Sequence, residues 1–244
     1  MIFKADFHIH SCLSPCGDLS MSPKMIVKHL KNHGINLAAL TDHNSALNCQ
    51  PFMELCTENA IAALSGIEVQ TTEEVHILCL FNDWKVALEL GEEIYEMMPN
   101  IMNIPEKMGD QVYVDKEENI LGEVDKFLVT SAEISIDDLA DKVHKMGGLV
   151  IPAHVDRPAF SLTSQLGFIP QGDFDALETL TLDLSKLPKF CNTTSYAIIH
   201  SSDAHYVEQI GQRFTQLNID GTKILKNDGR VDINVLKEAL ESLI

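Results

Sequence analysis

Two histidines one residue apart, in Asp6-Phe7-His8-Ile9-His10, close the first apolar run of the chain. Residues i and i+2 of an extended segment point to one side, so both imidazoles can face a common centre. Four more histidine and carboxylate groupings recur, each beside a segment that reads as a buried strand. They are Thr41-Asp42-His43-Asn44, Gly66-Ile67-Glu68 with His76, Ala153-His154-Val155-Asp156-Arg157, and Ser202-Asp203-Ala204-His205. Imidazole and carboxylate together are a donor set for a metal ion. A lone His-x-His pair is weak evidence, whereas five groupings at strand ends point to one shared metal centre.

The elements that must position these groups follow from periodicity. Ile2 to Phe7 reads as a short strand, and residues 35–40 as the next, which delivers Asp42 and His43. Between them Ser22-Pro23 opens a helix with Pro in its first turn, and Gly34 ends it. Residues 51–62 read as a helix, 63–69 and 75–81 as strands, and 84–98 as a helix with an acidic outer face at Glu89, Glu92, Glu93 and Glu96. Residues 99–133 are the least regular, with a hairpin expected within 111–122. A further helix opens at Ile134-Ser135 and runs through Met146. The strand 149–153 leads to His154, segments 176–180 and 196–200 are two more strands, and the last helix spans about 231–243.

Short buried strands alternating with helices imply a mostly parallel α/β sheet, whose functional residues gather beyond the carboxyl ends of the strands. An open sheet would spread those ends too far to share one pocket, so a closed or nearly closed barrel is expected. The expected organisation is a single domain over 1–244 with a small insertion at about 82–133.

Composition narrows the partners. A net charge of −18, with only 18 Lys and Arg residues, argues against extended nucleic acid. No basic groove with interleaved aromatics is visible. The six cysteines, at 12, 16, 49, 56, 79 and 191, form no CxxC pair and suit reduced thiols of the cytoplasm. No apolar run is long enough to span a bilayer, and no basic segment precedes a long apolar one near Met1, so neither a membrane anchor nor a signal peptide is expected.

The motifs, in this order, resemble the PHP (polymerase and histidinol phosphatase) family of metal-dependent phosphoesterases. Asp6-Phe7-His8-Ile9-His10-Ser11 is similar to the first family motif, Leu40-Thr41-Asp42-His43 to the second, Gly66-Ile67-Glu68 to the third and Ser202-Asp203-Ala204-His205 to the last. The resemblance covers roughly residues 1–83 and 130–210. It implies a distorted (β/α)7, TIM-like barrel holding two to three divalent ions (Zn, Mn or Fe). It further implies that His8, His10, Glu68 and Asp203 take the first ion. Glu68 would bridge to a second ion held by His76 and His154, and His43 and His205 would hold the third. The family pattern places a histidine six residues after His10; here Cys16 stands there, in Ser14-Pro15-Cys16-Gly17, with Asp18 as the oxygen-ligand alternative.

Paired divalent ions clamp a phosphate and lower the pKa of a bound water from 15.7 to about 7. Three ions would bring about six positive charges, of which Glu68, Asp203 and one of Cys16 or Asp18 would offset about three, so the pocket would attract anions in an acidic protein. Glu68, Asp203 and His205 are the candidate catalytic residues. Arg157 could grip a phosphate through two N–H groups or form a surface salt bridge; the phosphate role is favoured. Asp6 and Asp42 either accept from ligand imidazoles or cap the turns after their strands. Asp156 has no assigned role. His29, His33, His144 and His200 lie outside the motifs and read as structural or exposed, Cys12 as a packing residue, and the Met residues around 97–108 as core or lid packing.

The expected activity is hydrolysis of a phosphate monoester of a small metabolite or nucleotide by metal-activated water. The rivals are a phosphodiesterase or exonuclease acting on nucleic-acid ends, and a regulatory PHP module without catalysis. A hydrolase of the amidohydrolase kind would want a lysine bridging its metals, where this chain offers Glu68. Substrate identity and oligomeric state are not readable from the sequence.

Overall fold

The structure, a computed structural model, describes residues 1–183, 185 and 195–244; Cys191 lies outside them. Strand β1 (Ile2–Asp6) leads into the His8–His10 segment, and helix α1 (Pro23–His33) follows. The Ser22 hydroxyl caps α1 by accepting from the Met25 N–H, and Gly34, in the left-handed region at φ 67°, ends it. Then come β2 (Leu37–Leu40), α2 (Cys49–Glu58), β3 (Ala62–Gln70), β4 (His76–Phe81) and α3 (Trp84–Met97). The short helix α4 (Pro105–Met108) precedes the hairpin β5 (Val112–Val114) and β6 (Ile120–Glu123). Helix α5 (Ile136–Lys145), capped by Ser135, feeds β7 (Leu149–Pro152). The remainder is α6 (Leu162–Leu166), β8 (Leu177–Glu178), β9 (Ile198–Ile199), β10 (Thr215–Asn218) and α7 (Ile233–Glu241). Helix α2 ends earlier than its apolar pattern suggests, because Ala60 takes φ 55° and the chain is extended again from Ala62.

The fold is α/β, with a sheet curled into a half-barrel in the order β10-β1-β2-β3-β4-β7, beside a separate parallel pair β8-β9. The expectation of a mostly parallel sheet is corrected here. Pairs β1-β2 and β2-β3 are parallel, but β10-β1, β3-β4 and β4-β7 are antiparallel. The cause is local: β3 turns directly into β4, with the Thr71 N–H bonded to the Val75 carbonyl and Glu74 at φ 58°. A connection that short can only make a hairpin.

Alternation along the strands makes two apolar layers. Phe3, Ala5, Leu37, Ala39, Leu64, Leu78, Leu80, Leu149, Ile151 and Leu217 pack together on one face. The alternate residues Ala38, Leu40, Ile67, Val69, Ile77, Cys79 and Val150 pack with helix residues such as Ile26, Leu30, Phe52 and Leu90. Glu68 continues the parity of Leu64, and His76 that of Leu78, so both belong to the first face. Helix α3 lies against β3 and β4. The hairpin β5-β6 lies over the first loop, where Val112 and Val114 pack on Cys12. Among the described residues no helix is long and apolar enough to cross a membrane.

Candidate metal centre

Glu68 is the hub. Its side chain is 1% exposed, and its two oxygens face five imidazoles. Oε1 lies 2.9 Å from His76 Nδ1, 3.2 Å from His8 Nε2 and 3.2 Å from His154 Nε2. Oε2 lies 2.9 Å from His43 Nδ1 and 3.4 Å from His10 Nε2. Asp203 Oδ1 approaches His8 and His10 Nε2 at 3.3 and 3.4 Å, and His205 Nδ1 at 3.6 Å. All eight expected His, Glu and Asp side chains therefore meet in one cluster. His76 joins it from the amino end of its strand rather than after a strand, because β4 runs antiparallel to β3 and begins where β3 ends.

The backbone is held in place at considerable conformational cost. His154 and Asp203 both sit at positive φ, 31° and 51°, where a side chain other than glycine is disfavoured. Asp6 accepts from the Ser202 and Gly211 N–H groups and so fixes the loop that carries Asp203. Asp42 accepts from the Ser11 N–H and from the Ser11 and Ser14 hydroxyls. Neither aspartate accepts directly from an imidazole, so that option is corrected: both order loops. Asp42 acts one step removed, because the Ser14 hydroxyl it holds lies 2.9 Å from His10 Nδ1. Gly66 is required by close packing, since a Cβ there would lie 2.8 Å from the Cys79 carbonyl oxygen.

Three histidines have the outer ring nitrogen engaged. His8 Nδ1–H donates to Glu178, His10 Nδ1–H to Ser14 Oγ and His205 Nδ1–H to the Asp203 carbonyl. Each leaves Nε2 as the free donor atom, the arrangement by which outer partners orient metal-binding imidazoles. Buried polar atoms without hydrogen-bond partners gather here too: His43 Nδ1, Glu68 Oε2 and His154 Nδ1. The first two are 2.9 Å apart but lack hydrogen-bond geometry. Among the described residues three sets of donor atoms lie close enough to share an ion: His10, His43 and His205; His8, His10 and Asp203; His43, Glu68 and His76. The residues present thus fit divalent metals.

Electrostatics reinforces the picture. Burial opposes charge on His43, but Glu68 and Cys16 outweigh it and raise its pKa to about 10. His8 is likewise held well above its ordinary value by Glu178, Glu68 and Asp203 against the effect of burial. Burial, with the nearby His205 and His43, pushes His10 well below. His76 falls to about 4, mainly through burial. Glu68 and Asp203 are pushed down by the surrounding imidazoles despite their burial. Cys16 drops to about 6, because hydrogen bonds from His205 and His43 overcome burial. Its loop is tied down by the Asp18 N–H, which donates to the His205 carbonyl at 2.9 Å. The Asp18 carboxylate itself is exposed and accepts from the Ser20 N–H.

A profile of the PHP domain matches residues 6–149, more than half of the chain. The chain belongs to the PHP family. This is a family of metal-dependent hydrolases, and the clusters described above could hold its ions. A Methanocaldococcus jannaschii relative, Uncharacterized protein MJ1587, is 35% identical over 98 residues, covering 37% of this chain and 57% of the relative. The lesion-specific endonuclease PfuEndoQ of Pyrococcus furiosus superposes with a TM-score of 0.67 at 19% identity, over 100% of this chain and 57% of its own. A candidate metal-dependent phosphoesterase from Bifidobacterium adolescentis gives 0.58 at 16% identity, over 98% and 96%. The PHP chain thus spans little more than half the length of the first two.

The remaining expected PHP residues fall as follows. Arg157 Nη1 is 3.5 Å from Asp203 Oδ2, and the side chain is 39% exposed. It lines a cleft of about 460 Å³ with Cys16, Asp203, His205, Tyr206 and Arg213. Asp156 accepts from the Leu180 and Thr181 N–H groups, which shapes the wall of that cleft. His144 lies between Asp173 and Asp175, His200 faces Thr179, and His29 stacks on His33, all away from the centre. Sequence reasoning missed Glu178, Ser14, Gln70 and Arg213. Gln70 Oε1 is 3.1 Å from His76 Nε2. The available signal for Glu178 was a carboxylate within an otherwise buried strand.

Proposed function

We propose that this chain is a metal-dependent phosphoesterase that hydrolyses a phosphate monoester of a small metabolite or nucleotide. The observation that carries the reading is that Asp203 and His205, at one side of the eight-residue cluster, line a cleft together with Cys16 and Arg157, with Arg157 beside Asp203. Two to three divalent ions (Zn, Mn or Fe) would be held by His8, His10, His43, Glu68, His76, His154, Asp203 and His205, with Cys16 completing the outer position. Bound there, such ions supply Lewis acidity toward phosphate oxygens and lower the pKa of water.

The chain's own groups do the rest. Glu68 and Asp203 offset ionic charge. Arg157, released from Asp203, grips the phosphate with two N–H groups. His205 stands at the cleft wall, its Nδ1–H bonded to the Asp203 carbonyl, so that Nε2 is presented as a ligand atom beside the place the phosphate would take. Cys16 rather than Asp18 is the outer ligand in this reading, since its thiol faces His43 and His205.

We also read the curled sheet as the distorted (β/α)7 barrel, with residues 82–133 as its insertion. Support comes from bonds beyond the six-stranded sheet. The Asp175 N–H donates to the Val150 carbonyl, the Val155 N–H to the Glu178 carbonyl, and the His200 N–H to Thr215 Oγ1. A cytoplasmic setting is favoured by the free state of the five described cysteines.

A second reading, phosphodiester cleavage in nucleic acid, draws on the likeness to the lesion-specific endonuclease. The net charge of −18 weighs against it. A screen of phosphate monoesters, diesters and lesion-bearing duplexes, with protein loaded separately with Mn and Zn, decides. Chelator-sensitive release of phosphate from monoesters is the expected result. Cleavage confined to duplex DNA would transfer the chain to the second reading, and full activity after metal stripping would refute both.

A further inference from the structure

Glu178 is a buried carboxylate, 1% exposed, and among the described residues no lysine or arginine forms an ion pair with it. A carboxylate placed there is costly unless charge-assisted hydrogen bonds hold it. One oxygen makes two of them. Glu178 Oε2 accepts from His8 Nδ1–H at 2.9 Å and from the backbone N–H of His154 at 2.9 Å. The backbone adds a third tie, because the Val155 N–H donates to the Glu178 carbonyl at 2.8 Å. His8 and His154 lie far apart in the sequence, and their rings stack with centroids 5.7 Å apart. His154 is also one of the strained residues, at φ 31°. Such a conformation persists only where its surroundings fix it.

We propose that Glu178 is the positioning residue of the centre. It fixes His8 as the Nδ1–H tautomer, so that Nε2 faces Glu68 and Asp203. The same oxygen anchors the strained His154 backbone, so that its ring reaches Glu68. Two ligand residues from distant parts of the chain are thereby set by a single atom. His10 and His205 lack this device, using a serine hydroxyl and a backbone carbonyl for the outer nitrogen. A carboxylate oxygen is a stronger acceptor than either and holds the His8 ring more firmly in place. The proposal rests on the metal-centre reading above for its effect on affinity, but its geometric part does not.

The test uses the full chain with Glu178→Ala and Glu178→Gln. Zinc affinity is read by chelator competition, and protection of the His154 amide proton by hydrogen exchange in metal-free protein. Alanine removes both acceptors, so affinity should fall about tenfold to a hundredfold and the His154 amide should lose protection. Glutamine can present its amide oxygen to both donors, so protection should persist and the loss of affinity should be smaller. Should the alanine variant not fold, Glu178→Asp, which withdraws the carboxylate by one methylene, takes its place with the same two readouts. A folded alanine or aspartate variant with wild-type zinc affinity and a protected amide would overturn the proposal. Weakened zinc binding with an unaltered amide would overturn the link to His154. If the wild type binds no zinc, the metal-centre reading fails, and the amide readout still decides the positioning role.

Discussion

Replacing Glu68 with glutamine keeps the shape of the hub and removes its charge, and the consequence can be worked out for chelator-treated protein. His43 has its pKa raised from 6.5 to about 10; burial opposes this, and Glu68 is the leading group that raises it. A folded-state pKa above the unfolded value means stability that is fully present below pH 6.5 and is lost as pH rises through 10. A shift of that size corresponds to about 5 kcal/mol below pH 6.5 and about 4 kcal/mol at pH 7. Without the Glu68 charge, His43 should return toward an ordinary value and most of this should vanish. The loss lies within the range expected for breaking a buried ion pair. For a chain of this length, 1 kcal/mol moves the melting temperature by roughly 2–4 °C, so Glu68→Gln should melt lower at pH 7 by up to about 8–16 °C, the part due to Cys16 being retained. Thermal melts in EDTA, from pH 6 to 10, should show the gap between the two proteins narrowing as pH approaches 10. A variant that melts with wild type across that range, or one whose gap does not change with pH, would refute the reasoning.

Cys16 should alkylate in metal-stripped protein with a midpoint near pH 6, the reactive thiolate growing above it, while added zinc protects it. Cys16→Ser identifies the signal, since burial pushes Cys12 and Cys49 up to about 12; a midpoint near 9 would contradict the contacts with His43 and His205. Arg157→Ala should raise KM, or lower kcat as well if its contact tightens in the transition state, with metal content unchanged and lysine rescuing only in part. Kinetics identical to wild type on every ester cleaved would return Arg157 to a plain partner of Asp203. Gly66→Ala should cost about 1–3 kcal/mol in urea denaturation, because the added methyl meets the Cys79 carbonyl at 2.8 Å and Thr41 Cγ2 at 3.0 Å. A neutral change would mean that the β3-β4 pair gives way.

The centre was legible because its residues combine a distinctive type with a fixed spacing. The His-x-His pair needs only the period of an extended chain, and Glu68 needs only the parity of Leu64 along β3. Sheet direction was less legible. The two apolar runs 63–69 and 75–81 have no helix between them, so the hairpin was implied by their own spacing, yet the wider alternation suggested parallel strands. Loop roles were hidden for a different reason. Asp6 and Asp42 stand next to ligand positions, but their partners are Ser202, Gly211, Ser11 and Ser14. Three of these four are backbone N–H contacts, whose direction no side-chain pattern records.

Glu178 shows where such reading stops and why. Its strand is two residues long, too short for periodicity to declare a face, and its two partners lie 170 residues before it and 24 before it. Only the curl of the sheet brings β8 beside β7 and behind His8. The same curl lets β4, which runs against β3, place His76 at the end of the sheet where the other ligands emerge. The ligand set is thus a property of side-chain type and strand parity, whereas its alignment is a property of topology. Changes at Glu178 should therefore act through the geometry of His8 and His154, and changes at Glu68 through charge, and the pH profiles and amide exchange described above separate the two.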